Sequence, residues 1–168
     1  AAKISRDEAM RLAADTLVRT AASVDTYGIK IGIETMGKLN QLGTLEEVLT
    51  LCKLSPRLAP VVDFGHLNAR EQGRFHNADD YRTVFSAIAD ALGDTAARTL
   101  HCHFSKIEHT AAGEKRHLTF TDQTYGPDFE PLAEVIARDS LAPRIICESA
   151  GTMAEDALSM QTAYQSFL

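Results

Sequence analysis

The chain has 168 residues, of which 45% are hydrophobic and 24% charged, and its formal net charge is −6 at pH 7. That length suffices for one domain with a buried core, and the composition is that of an ordinary globular protein. The acidic balance argues against a non-specific nucleic-acid binder, although carboxylates that hold metals count as negative while their metals do not, and no apolar run approaches the length of a membrane span.

No signal-peptide pattern opens the sequence. The three cysteines, Cys52, Cys102 and Cys147, are odd in number and far apart. They predict reduced core residues of a cytoplasmic protein, not a disulfide frame. Residues 1–168 show no linker, composition break or low-complexity tract, which predicts a single domain.

Ser5-Arg6-Asp7-Glu8 has the pattern of a capping box, and Ala9, Leu12, Ala13, Leu17 and Ala21 follow at helical spacing. Ile29 to Glu34 alternates as a strand, with the isoleucines on one face and Lys30, Gly32 and Glu34 on the other. A polar loop leads to a second capping box, Thr44 to Glu47, and a helix to about Lys53. Ala59 to Asp63 is the next strand. Phe64 to Asn77 reads as a long polar loop, a type that is often functional. Asp79 to Leu92 is a helix, with Tyr81, Val84, Phe85, Ile88 and Leu92 on one stripe. Arg98 to Phe104 is a strand. A long loop runs from Ser105 to Pro127, then a helix from Phe129 to Asp139, with Pro131 in its tolerant first turn. Pro143 to Glu148 is the fourth strand, and Met153 to Phe167 the last helix.

Strands that alternate with helices at this spacing imply an α/β fold with a parallel sheet and right-handed crossovers. About four βα units preceded by a helix match half of an eight-stranded (βα) TIM-barrel type fold, cut between its fourth strand and fourth helix. A half barrel exposes sheet edges and an apolar inner face, so the expected partner is the missing barrel half or a second copy.

In such barrels the chemistry sits at the C-terminal strand ends. Those ends carry Glu34, Asp63, His101 or His103, and Glu148. His101 and His103 share one strand face, and two imidazoles there are costly to bury unless something binds them. Asp63-Phe64-Gly65-His66 puts a second donor three residues past a carboxylate, and Glu114 and His117 come from the loop after the third strand. Carboxylates with imidazoles suit Zn²⁺, Mn²⁺ or Fe²⁺ better than Ca²⁺. His76 and His109 read as surface residues. Lys38, Arg70, Lys106 and Arg116 lie in loops on the same face and are candidates for phosphate contacts.

Ile33-Glu34-Thr35, Val62-Asp63-Phe64-Gly65-His66, His101-x-His103-Phe-Ser-Lys106, Gly113-Glu-Lys-Arg-His117 and Cys147-Glu148 together resemble the endonuclease IV family of abasic-site endonucleases, a branch of the xylose-isomerase-like TIM barrels. The resemblance covers the chain from about Val18 onward. It implies a zinc site of two or three ions. Glu34 would bridge two metals, Asp63, His101 and Glu148 would complete one of them, and His66 and His117 would hold another. His101 is preferred to His103 because Lys106 follows it at the family's spacing, which leaves His103, with Lys106 and Arg70, to contact substrate. The third-site aspartate of the family falls at Lys115, and Glu114 is the nearest replacement.

The implied activity is hydrolysis of DNA on the 5′ side of abasic sites, with Glu34 and Glu148 catalytic. The alternatives are a sugar isomerase or epimerase that holds one Mn²⁺ or Mg²⁺ on the same strand ends, and an inactive half-barrel fragment.

Overall fold

The computed structural model describes residues 4–24 and 27–168. Four parallel strands form one sheet in the order β1-β2-β3-β6: β1 (Ile31–Glu34), β2 (Leu58–Asp63), β3 (His101–Phe104) and β6 (Arg144–Cys147). A two-stranded antiparallel hairpin, β4 (Ile107–Thr110) and β5 (Gly113–His117), rises after β3. The helices are α1 (Arg6–Ser23), α2 (Leu45–Cys52), α3 (Phe64–Arg70), α4 (Ala78–Leu92), α5 (Asp94–Arg98), α6 (Glu130–Arg138) and α7 (Met153–Gln165).

The helix starts follow from their caps. Ser5 Oγ accepts the Glu8 amide, Thr44 and Glu47 complete a reciprocal capping box, and Asn77 and Asp80 do the same for α4. Each such cap satisfies amides that the first helical turn leaves unpaired and stabilises by about 1 kcal/mol.

The core lies on one face of the sheet. Val62, Cys102 and Phe104 meet Leu49, Phe64, Leu67, Tyr81, Val84, Ile88, Leu132 and Val135 there, and Phe64 makes ring contacts with Phe75, Tyr81, Phe85 and Phe104. The other face carries Glu34, Asp63, His101, His103 and Ile146. Ile146 is 43% exposed while Asp63 is fully buried, so among the described residues that face is open except around Asp63. Parallel sheets are ordinarily covered on both faces.

Several segments differ from their sequence reading. Phe64–Arg70 is a helix, not loop, because Asp63 acts as its N-cap, accepting the His66 amide on Oδ1 at 2.7 Å. Ser105–Pro127 is not all loop. Its first half forms the hairpin, which turns at Ala111-Ala112 into Gly113 at φ +93°. A Cβ at Gly113 would lie 2.2 Å from the Gly37 carbonyl oxygen, so glycine lets the hairpin tip press against the loop after β1. The strand read from Arg98 begins at His101, and Asp94–Arg98 is helical. The strand read from Ile29 begins at Ile31. Among the described residues no helix is long and apolar enough to cross a membrane, and Cys52, Cys102 and Cys147 are free thiols.

Candidate metal centre

Backbone register assembles the strand-end residues. Asp63 pairs with His103 across β2 and β3. Beyond β1, the Thr35 amide donates to the Val61 carbonyl at 3.0 Å, and the buried Thr35 hydroxyl accepts the Asp63 amide at 3.0 Å. That fixes Glu34 beside Asp63. Beyond β6, the Glu148 amide donates to the Phe104 carbonyl at 3.0 Å. One ligand atom from each of Glu34, Asp63, His103 and Glu148 lies within 4.8 Å of all the others. His103 Nδ1 is the meeting point, 2.9 Å from Glu34 Oε1 and 3.3 Å from Glu148 Oε1.

A second group adjoins the first. His66, Glu114 and His117 also bring ligand atoms within 4.8 Å of one another. His66 Nδ1 lies 2.9 Å from the Thr35 carbonyl oxygen, an acceptor, so that nitrogen carries the proton and the Nε2 lone pair faces Glu114 Oε2 at 3.5 Å. His117 is also held through Nδ1, 2.8 Å from the buried Ser105 hydroxyl, which can donate or accept, and its Nε2 is 4.0 Å from Glu114 Oε1. A ring held by one nitrogen with the other aimed into a cluster is the usual outer-shell pattern of a metal-binding histidine. Glu114 is seated by its own amide, which donates to the Gly37 carbonyl at 3.1 Å.

Both groups fit a divalent cation. Asp63 is fully buried, and its Oδ2 is the one buried side-chain polar atom among the described residues with no hydrogen-bond partner. The nearby His66 Nδ1, 3.5 Å away, spends its proton on Thr35. Burial raises the Asp63 pKa, and Glu148 raises it further, against the pull of His66. An ionised carboxylate so placed is costly without a positive partner, and nitrogen with oxygen donors suits Zn²⁺, Mn²⁺ or Fe²⁺.

The structure brings together Glu34, Asp63, His66, His103, Glu114, His117 and Glu148, and it leaves out His101. His101 shares the strand face of His103 but sits one step nearer the strand's N-terminus. Its ring is edge-on to that of His103 at 5.3 Å, and it borders the opening lined by Lys30 and Arg144. Strand register thus brings His103 to the cluster, where the spacing to Lys106 favoured His101.

Two expected substrate contacts are also corrected. Arg70 is 8% exposed and gives its guanidinium to the carbonyls of Met36, Lys38, Leu39 and Gln41. Lys106 is 7% exposed and is held by the Asp122 carbonyl at 2.7 Å and by Asp128 at 3.0 Å. Both are structural cations. Arg116 pairs with Glu108.

An uncharacterised protein of Methanocaldococcus jannaschii is 29% identical over 116 residues, which are 69% of this chain and 41% of that protein. The chain thus spans about two-fifths of the length of this curated relative. A crystal structure of apo 3-keto-D-glucoside 4-epimerase, YcjR, from E. coli superposes with a TM-score of 0.58 at 16% identity, covering 99% of this chain and 56% of that one. At that identity the likeness establishes the fold alone. A family model described as xylose isomerase-like TIM barrel matches residues 1–164, nearly the whole sequence. The chain belongs to the xylose isomerase-like TIM barrel family.

Proposed function

We propose that the chain carries the metal-binding half of an active site that moves a proton on a sugar-type substrate, as a metal-dependent isomerase or epimerase. One observation carries this reading: Glu34 and Glu148 come from strands at opposite ends of the sheet, meet at His103, and are each 34% exposed at the side chain. Epimerisation needs one carboxylate to take a proton from carbon and a second group to return one from the other side. Two accessible glutamates facing one point meet that need, while buried Asp63 is left to hold the metal and cap α3. A divalent ion on Glu34, Asp63, His103 and Glu148 would supply polarisation of a substrate oxygen. The epimerase named among the structural neighbours supports the substrate class by analogy of fold only.

The test is deuterium exchange. Full-length protein loaded with Mn²⁺ and incubated with keto-sugars in D₂O should place deuterium on the carbon next to the carbonyl. Glu34→Gln and Glu148→Gln should each abolish it. Absence of exchange across a panel of ketoses and keto-glycosides, with metal bound, contradicts the reading.

The second group favours another reading, hydrolysis of phosphodiesters such as DNA at abasic sites. His66, Glu114 and His117 stand beside the first cluster, and adjacent cations are the arrangement used for phosphodiester cleavage. Metal counting separates the two: one ion per chain supports the isomerase, and two or three, with cleavage of abasic duplex, support the hydrolase. Zn²⁺ fits the second reading and Mn²⁺ or Mg²⁺ the first. In both, the expected partner is substrate together with whatever covers the open sheet face.

A further inference from the structure

Asp156, in the first half of α7, is 6% exposed and belongs to neither metal-type group. Its Oδ2 accepts the Phe120 amide at 3.0 Å and the Thr152 hydroxyl at 2.8 Å. The Ser149 hydroxyl is a third donor to the same carboxylate. Burial by itself would raise the Asp156 pKa, but Ser149, Phe120 and Thr152 hold it below the ordinary carboxylate value, with help from Lys106. A buried carboxylate with several donors anchors the segments that supply them.

Those segments frame Glu148. Glu148 stands one residue past β6, an edge strand of the sheet, and its amide makes the last ladder bond, to the Phe104 carbonyl at 3.0 Å. The tip of the loop that follows is exposed at Ala150 and Gly151, with Gly151 at φ +90°. Successive side chains of an extended segment alternate between faces. Glu148 faces the metal group, and Cys147 and Ser149 share the opposite side, where buried Ser149 accepts the Cys147 thiol at 3.4 Å. Fastening Ser149 from behind sets the direction in which Glu148 leaves the chain. Phe120 adds a brace from the segment after the hairpin. There the Leu118 amide donates to the Lys106 carbonyl at 2.8 Å, the Leu118 carbonyl accepts the Ala150 amide at 3.3 Å, and the Phe120 ring sits edge-on to Phe104 at 5.8 Å. Asp156 thus ties the Glu148 loop to a brace seated on the neighbouring strand. A ligand set works only when the residues behind it hold it to about 0.5 Å.

We propose that Asp156 is a positioning residue for Glu148, acting from behind the loop through Ser149, Thr152 and Phe120. The proposal rests on Glu148 being a ligand of the first metal group, whichever reaction that group serves. The test is calorimetric titration of Mn²⁺ into the full-length protein, well below its melting temperature, with thermal unfolding in EDTA alongside. Glu148→Gln marks the binding event of the first group. Asp156→Asn keeps the size and one acceptor oxygen but removes the charge, and should weaken that event about tenfold or more. Ser149→Ala leaves the bonds to Phe120 and Thr152 in place and should weaken it by less, which keeps the test open if the buried Asp156 variant unfolds. In a Glu148→Gln background, Asp156→Asn should cost no further affinity, while its cost in melting temperature stays the same. A merely structural Asp156 would lower the melting temperature and leave Mn²⁺ affinity untouched, and that result in both variants overturns the proposal. So does an equal loss of affinity from Asp156→Asn with and without Glu148. Mn²⁺ binding that Glu148→Gln does not weaken removes the metal centre and the proposal with it, so the two failures are told apart.

Discussion

Arg70→Met should loosen the loop that seats Glu114. Arg70 Nη1 donates to the carbonyls of Met36 at 2.9 Å and Lys38 at 2.8 Å, and Nη2 to those of Leu39 at 3.3 Å and Gln41 at 3.1 Å. Burial lowers its pKa, with Arg6 adding to the effect, but the group stays charged. Each bond to a charged group is worth about 1.5–3 kcal/mol when nothing replaces it. Three of the four carbonyls belong to the exposed residues Lys38, Leu39 and Gln41, where water can step in. Arg6 also reaches Leu39 and Gln41. The net loss is then about 2–3 kcal/mol. For a domain of this size that corresponds to a fall in melting temperature of about 4–12 °C. The same loop offers the Gly37 carbonyl to the Glu114 amide, so the variant should also weaken metal binding at the His66–Glu114–His117 group. The assay is thermal unfolding in EDTA, followed by titration with Zn²⁺. Arg70→Lys keeps the charge but not the forked geometry and should fall between. A variant that melts within about 1 °C of wild type and binds metal unchanged would refute the clamp.

Three further outcomes are expected. Burial by itself would raise the Glu47 pKa, but Arg6 and the Gly43 and Thr44 amides hold it at about 2. Its contribution is therefore complete above the ordinary carboxylate range, near 4.5, and lost as pH falls from there towards 2. It amounts to about 1–2 kcal/mol once solvent screening at half-exposed Arg6 is allowed for, and Glu47→Gln should flatten urea-unfolding stability over that window. Ser105→Ala removes the partner of His117 Nδ1 and should weaken Zn²⁺ at the second group by about 10–100-fold, read by isothermal titration, while leaving the first group and the metal-free melting temperature nearly unchanged. Asp63→Asn should raise the melting temperature of metal-free protein, because the folded-state pKa of Asp63 is raised and its ionised form opposes folding above that pKa. The same change should cancel the stabilisation that added metal gives wild type.

Periodicity and capping residues made most of the fold legible. The apolar stripe of α4 and the alternation in β1 needed no tertiary information. The α3 helix was hidden because it has seven residues and contains Gly65 and His66, poor helix formers. The available signal was Asp63 at the N-cap position. Asp63 has two roles: Oδ1 caps the helix and Oδ2 faces the metal group. The hairpin was hidden by its charged strands and the register shift at Glu108/His109. The order of candidate ligands along the chain was legible, because each follows a strand. The choice between His101 and His103 was not, since both share a face and only the pairing of His103 with Asp63 decides. Arg70 and Lys106 show the same limit: charge and loop position suggested phosphate, whereas carbonyls and Asp128 from distant segments hold them.

The most direct test of the metal centre is calorimetric titration of Mn²⁺ into metal-free wild type, His103→Ala and His101→Ala. Wild type and His101→Ala should bind with affinities within a few-fold of each other, and His103→Ala should lose about 2 kcal/mol or more, at least about thirtyfold. Equal binding by His103→Ala and wild type, or loss confined to His101→Ala, would contradict the centre built on Glu34, Asp63, His103 and Glu148.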